Sequence, residues 1–280
     1  MRPVRTAVVT VVHGRHEHFA RQQAGLAACA PDDRCVVALA DPGIAALAGC
    51  DVHVVECAAD PAALPLARAR NIGAQAALDR GADLLVFLDV DCIPGPALID
   101  RYVDAHRRTD GPALLCGPVT YLPPSPGGYP LERLGEMTDP HPARPAPEPG
   151  VLRAEPNHDL FWSLSFAVSA TTWRQLGGFC EAYVGYGGED TDFAADAAAQ
   201  RIPLLWVGGA HAYHQHHPVS DPPVEHLGHI VANARTFHRR WGRWPMVGWL
   251  DAFERQGLIT RDGDRIDRVD TPVRKVRTGA

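Results

Sequence analysis

No stretch of the 280 residues approaches the ~18–20 consecutive apolar residues that a membrane-crossing helix needs, so no transmembrane segment is expected. The N-terminal MRPVRTAVVTVVHGR carries basic residues, but its apolar run is short and breaks at His-Gly-Arg. It reads as a first strand and not as a secretory leader. No C-x-x-C pair occurs among the seven cysteines, and an odd count without metal spacing points to reduced thiols in a cytoplasmic protein. Positive charge is also in short supply. The net charge is −6, which gives a nucleic-acid partner no support. There is no internal repeat and no H-E-x-x-H helix. What is plentiful is apolar residue, 46%, enough for a sizeable core in one large or two small domains.

The order of elements is more informative. TAVVTVV (6–12), RCVVAL (34–39) and DVHVVEC (51–57) have the β-branched content of short strands. HEHFARQQAGLAAC between the first two has helical apolar spacing, and LPLARARNIGAQAALDRG (64–81) reads as a helix stopped by Gly81. LLVFL (84–88) then reads as a buried strand running into Asp89 and Asp91. Strands alternating with helices predict βαβ units and a largely parallel sheet. Such sheets bind ligands beyond the carboxyl ends of their strands, where Thr10 to Arg15, Asp41 and Asp89 to Asp91 would lie. Ten prolines fall between Pro118 and Pro149, marking a long irregular segment of the kind that is either disordered or a functional lid. A strand and short helix follow in 158–179. VEHLGHIVANARTFHRRW then places Leu227, Ile230, Val231, Ala234, Phe237 and Trp241 on one helical face.

Four motifs carry chemistry. Read as strand residues, Asp89 and Asp91 point to one side, and two repelling carboxylates call for a cation, a hard divalent one with oxygen ligands. The bland alternative is a polar strand end before the Pro94-Gly95 turn. In YVGYGGEDTDF, Gly187 and Gly188 allow a tight turn close to a ligand, and Glu189 and Asp190 open a helix, where an acid also serves as a plain cap. HAYHQHHP (211–218) holds four histidines in eight residues after the strand IPLLWV, which is either a set of metal ligands or a His-rich surface loop. Arg68, Arg70 and Asn71 sit near the start of a helix that otherwise packs on the sheet, either at a ligand or simply in solvent.

LDVDCIP, GGFCEAYVGYGGEDTDF and AYHQHHP, in that order and spacing, resemble the GT-A-type glycosyltransferases. The likeness is strongest to family-2 enzymes and to the β-1,4-galactosyltransferase C-terminal module with its aromatic-Gly-Gly-Glu-Asp signature. It spans roughly residues 6 to 218. The resemblance implies an α/β GT-A (Rossmann-like) fold: a mixed, mostly parallel sheet flanked by helices, as a single domain with a C-terminal helical extension. Residues 1–218 would form the GT-A domain, with a nucleotide-binding part to about 116 and an acceptor and catalytic part over 117–218. Residues 219–260 would be the extension and 261–280 a flexible tail. RRWGRW falls short of the Q-x-x-R-W of processive synthases, and T-V-V-H-G-R replaces the usual P-x-Y-N-R of the first strand.

The resemblance further implies a metal-dependent inverting transferase, moving a sugar from a nucleotide-sugar, with a UDP-sugar favoured, to an acceptor hydroxyl. Asp91 would ligate Mn2+ or Mg2+, Asp89 would complete the ribose or metal shell, and His214 would be the far ligand, with His211 and His216 as alternates. Asp190 would be the general base and Glu189 would orient the acceptor. Tyr186 would pack on a sugar, with Gly188 close to the ligand. Arg68, Arg70 and Asn71 would meet the nucleotide, Thr10, His13, Arg15 and Asp41 would surround the base, and residues 118–149 would form a lid. Peripheral contact with a membrane stays open. The competing expectations are a sugar nucleotidyltransferase, which normally needs a Gly-rich basic loop where this chain has VVHGRHEH, a His-centred metal hydrolase, and a non-catalytic binding module.

Overall fold

The computed structural model describes residues 3–269. In chain order the elements are β1 (Thr6–Val12), α1 (His16–Cys29), β2 (Asp33–Leu39), α2 (Ile44–Leu47), β3 (His53–Cys57), α3 (Leu66–Asp79) and β4 (Leu84–Leu88). There follow β5 (Cys92–Pro94), α4 (Leu98–Arg108), β6 (Leu114–Cys116), β7 (Val119–Tyr121), β8 (Leu152–Glu155), β9 (Ser165–Ser169) and α5 (Ala170–Leu176). The described residues end with α6 (Glu189–Ala199), β10 (Leu204–Val207), β11 (Ala212–His214), α7 (Leu227–Trp241), α8 (Val247–Arg255), β12 (Ile259–Asp262) and β13 (Arg265–Arg268).

The main sheet has eight strands in the order β3-β2-β1-β4-β9-β6-β10-β8. β3, β2, β1 and β4 pair in parallel, β6 and β10 share their direction, and β9 and β8 run the other way. The mixed, mostly parallel sheet expected from the sequence is therefore present. Its strands are apolar on both faces because both are covered. Ala7, Val9, Leu85 and Phe87 face a layer containing Ala74, Trp173 and Phe193, from α3, α5 and α6. Val8, Leu84, Val86 and Leu88 face Leu26, Leu98 and Tyr102, from α1 and α4. α3 lies unusually close to the sheet. A Cβ on Gly73 would sit 2.6 Å from Val9 and 2.9 Å from Val37, and alanines at 67, 69, 74 and 77 continue the small-residue face. Because α3 runs back from the carboxyl edge, its first turns deliver Arg70 and Asn71 there.

A second, three-stranded sheet, β5-β11-β7, sits at that edge. Its register sets His214 opposite both Cys92 and Tyr121, one residue away from Asp91. Much of the Pro-rich segment expected to be a lid is packed against this sheet. Leu122 and Leu134 join Ile93 and Tyr213 in a small core, and Thr138 Oγ1 lies 2.7 Å from Tyr213 Oη.

The boundary expected at 261 is not observed. β12 and β13 form a hairpin through it, and Ile259 and Ile266 are buried with Ile230, Leu250 and Phe253 under α7 and α8. The alternation of isoleucine with charged residues, around a Gly263-Asp264 turn, makes this a strand pair despite its charge content. Residues 270–280 of the expected tail lie outside the described residues.

Candidate active site

β4 stops at Leu88, so Asp89 and Asp91 are not alternate residues of one strand. They stand in the turn that follows it, closed by a bond from the Cys92 N–H to the Asp89 carbonyl at 2.8 Å. The turn sends the two carboxylates to different partners. Asp89 Oδ1 accepts from Arg70 Nη2 at 3.2 Å. Asp91 meets His214 Nε2 at 3.5 Å, His217 Nε2 at 3.4 Å and Arg15 Nη1 at 3.9 Å. Asp91, His214 and His217 can each offer one ligand atom, all lying within 4.8 Å of one another. His214 is thus in the group, but the two alternates are not. The His211 Nε2 is 2.7 Å from Thr120 Oγ1, and burial takes its pKa down to about 4. His216 is exposed, and its place is taken by His217, one residue on. The signal for His217 was the H-x-x-H spacing, which lets the chain fold back after β11 and present a second imidazole.

Burial alone would raise the Asp91 pKa. The hydrogen bond from His217, the electrostatic pull of the His214 ring and the charge of Arg15 outweigh it and bring the carboxyl down to about 2. Burial lowers the His214 pKa, keeping a neutral, lone-pair-bearing imidazole beside a carboxylate. Asp91 Oδ1 is buried without a hydrogen-bond partner among the described residues. One anionic oxygen and two imidazole nitrogens, with that oxygen orphaned, form a donor set that fits a divalent cation.

Glu189 and Asp190 open α6 after Gly187 and Gly188, both in the left-handed region at φ +83° and +96°. Asn233 of α7 donates to the carbonyls of Val184, Tyr186 and Gly187, holding this loop in shape. Asp190 keeps part of its surface at the mouth of the site. Burial of its carboxylate, then the neighbouring Glu189, pushes its pKa up to about 7, while the Thr191 N–H, donating at 2.7 Å, pulls the other way. Glu189 turns inward, where Arg70 Nη1 donates to it at 2.9 Å. Burial, with Asp91 and Glu189 adding to it, holds the Asp89 carboxyl up at about 6 despite Arg70. Burial works against the charge of Arg70 as well, but Asp89 and Glu189 more than offset it and its pKa is raised.

Several expected nucleotide contacts are therefore corrected. Arg70 is not free for a nucleotide; it ties the Asp89 turn to the start of α6. Asn71 is a staple: its Nδ2 donates to the Phe179 carbonyl and to Glu181, both at 2.9 Å, and its Oδ1 accepts from the Phe179 N–H at 2.8 Å. Asn71→Ala should lower stability by about 1–3 kcal/mol in denaturant titration and leave nucleotide affinity unchanged. Arg68 is exposed on α3. Tyr186 stacks on His226 at 4.3 Å and tilts against Trp249 at 5.8 Å, so α7 and α8 already take up much of its ring. Of the group expected around the base, His13 and Asp41 stand at the ends of β1 and β2, whereas Arg15 reaches Asp91 instead. His13 Nδ1 lies 2.9 Å from the Leu39 carbonyl oxygen, and Asp41 accepts from the Gly14 N–H at 2.9 Å. Thr10 is buried, with its hydroxyl unpartnered among the described residues. His16, which the sequence did not single out, meets Asp41 at 2.8 Å.

Residues 156–218 match a family model described as the N-terminal domain of galactosyltransferase. No curated protein is matched by the sequence. A crystal structure of GalNAc-T7 with UDP, GalNAc and Mn2+ is similar at TM-score 0.58 and 14% identity, over 91% of this chain and 57% of that one. A crystal structure of S. aureus TarS 1–349 in complex with UDP-GlcNAc is similar at TM-score 0.53 and 11% identity, over 78% of this chain and 60% of that one. The chain spans less than two thirds of the length of either. The likeness to these two structures shows a shared fold, and the family match is confined to residues 156–218 within it. That segment contains Glu189, Asp190, His214 and His217, so it supplies most of the site, while Asp91 comes from the first half of the chain.

Proposed function

We propose that this protein is a divalent-metal-dependent inverting glycosyltransferase, acting in the cytoplasm on a nucleotide-sugar, preferably a UDP-sugar, and a hydroxyl-bearing acceptor. The observation that carries the proposal is the meeting of Asp91, His214 and His217 at the carboxyl edge of the sheet, tied through Arg70 to the Glu189-Asp190 corner. That edge is where open α/β sheets bind ligands. No helix among the described residues is long and apolar enough to cross a membrane.

Asp91, His214 and His217 would hold the cation, and their two imidazole nitrogens favour Mn2+ over the harder Mg2+. A bound divalent ion would supply charge neutralisation to the departing diphosphate. Arg15, beside Asp91, adds a second positive charge on the same side. His13, Asp41 and the backbone of β1 and β2 frame the nucleotide base. Asp190, with its raised pKa, takes the proton from the acceptor hydroxyl as that oxygen attacks the anomeric carbon from the face opposite the leaving group. Attack from that face gives inversion. Glu189, locked to Arg70, keeps Asp190 aimed rather than touching the acceptor itself.

The experiment is a panel of nucleotide-sugars with Mn2+, read by thermal shift and by slow donor hydrolysis. A stabilisation by one UDP-sugar that requires the metal is expected; no response to any nucleotide-sugar would reject the proposal. His217→Ala should raise the Mn2+ concentration needed for half-maximal activity by about 10–100-fold or more, whereas His216→Ala should leave the titration unchanged. Coincident curves for the two variants would remove His217 from the ligand set.

A further inference from the structure

We propose that Arg144 anchors a carboxylate carried by the acceptor, which makes the preferred acceptor an acidic saccharide or hydroxy acid; the inference rests on the glycosyltransferase proposal above. Arg144 is 5% exposed, and its Nε, Nη1 and Nη2 are all buried without a hydrogen-bond partner among the described residues. Its guanidinium carbon lies 5.1 Å from the Trp162 ring centre and 4.8 Å from that of Trp206. The groups that act on it most strongly are Cys116, Tyr121, Tyr102 and Cys92, all neutral at pH 7. Among the described residues no carboxylate forms an ion pair or hydrogen bond with it. The two indoles offset part of the desolvation, but a guanidinium does not shed its proton to relieve the rest. A charge left in this state is costly, and what relieves it is an incoming anion.

The position of Arg144 says which molecule brings that anion. Tyr121 stacks on His214 at 4.6 Å, His141 lies 5.3 Å from Tyr121, and Trp162 lies 5.2 Å from His141. These rings form a continuous wall from the Asp91-His214-His217 group to Arg144. The nucleotide half of the fold, at β1 and β2, lies on the other side of that group, so Arg144 borders the acceptor half. Tyr121, His141 and Arg144 all belong to the Pro-rich segment, which thereby lines the metal group and presents the charge together. Trp162 is half-buried and covers the guanidinium, so entry of the acceptor turns this ring aside. The guanidinium fork fits the two oxygens of one carboxylate, and a monoanion leaves a neutral pair. A phosphate dianion would leave one buried negative charge unanswered.

The test uses the full chain with Mn2+ and UDP, and calorimetry with three probes: methyl glucuronide, its methyl ester, and methyl glucoside 6-phosphate. The acid is expected to bind about tenfold or more tighter than the ester. That preference should vanish in Arg144→Met and survive in part in Arg144→Lys. Equal binding of acid and ester, including binding of neither, overturns the proposal. So does a preference for the phosphate, or an acid preference that persists in Arg144→Met. The wild-type comparison stands even if the Met variant fails to fold. Mn2+-dependent hydrolysis of UDP-sugars, which does not involve Arg144, reads the parent proposal separately. An acid preference that depends on Arg144 in a protein without that hydrolysis would leave the anion site standing and sink the transferase assignment.

Discussion

Asp190→Asn should cut the rate of sugar transfer by about 10²–10⁴-fold, the usual contribution of a positioned general base, with donor affinity unchanged. The substitution preserves shape, and an amide oxygen can still accept from the Thr191 N–H that now reaches Asp190 at 2.7 Å. What it removes is the ability to take a proton. The measurement is initial transfer rate at saturating donor, alongside calorimetric binding of the nucleotide-sugar. Lost donor binding would make Asp190 structural, and a loss of only a few-fold would move the base elsewhere. The pH profile gives the same assignment by a second route. A base works only when ionised, and burial with Glu189 nearby sets the Asp190 pKa at about 7. In the wild type kcat/KM should therefore fall by about tenfold per pH unit below that value and level off above it. In Asp190→Asn this acid limb should disappear. A profile that is flat between pH 5 and 8 in the wild type would contradict the assignment.

How far the site was legible depends on how local its determinants are. The LLVFL run fixed a central strand and the helix after Gly188 began at Glu189, because apolar runs and glycine turns act over a few residues. The parallel pairing of β1 to β4 follows from βαβ alternation, whereas the full strand order does not. Asp91 and His214 could be nominated because each follows a strand end. Their actual partners were set by pairing between β5 and β11, about 120 residues apart in the chain, and sequence spacing carries no such register. That is why spacing alone does not separate His217 from His211 and His216. Asn71 and Arg70 illustrate the opposite error. Polar residues on a helix at a ligand-binding edge look like ligand contacts, yet both are used up by the stretch from Phe179 to Glu189 more than 100 residues downstream. The unpaired Arg144 could not be found at all, since its isolation is a property of the packed segment around it.

Arg70→Met should destabilise the fold by about 3–5 kcal/mol, the cost of leaving buried charges without their partner. Arg70 joins Asp89, 19 residues away, to Glu189, 119 residues away, with its guanidinium carbon 5.3 Å from the centre of the Phe179 ring. Its side chain is 8% exposed, so water cannot take over its role. Methionine fills much of the volume and leaves two neighbouring carboxylates facing one another. Unfolding in urea is the measurement, and a loss below about 1 kcal/mol, the range of an exposed pair, would show the bridge to be dispensable. The sign of the pH dependence separates lost charge from lost packing. Without Arg70 the Asp89 pKa moves above its present value of about 6, which is already raised by burial. An acid whose folded pKa is raised favours the folded state at low pH and loses that contribution as it ionises. The deficit of Arg70→Met relative to the wild type should therefore widen as pH rises through and beyond 6. Adding Glu189→Gln and Asp89→Asn to Arg70→Met should recover stability, because it removes the unanswered charge while restoring no contact. If the triple variant were no more stable than the single one, the ion pairs would not be what joins the metal-side turn to the base-side helix.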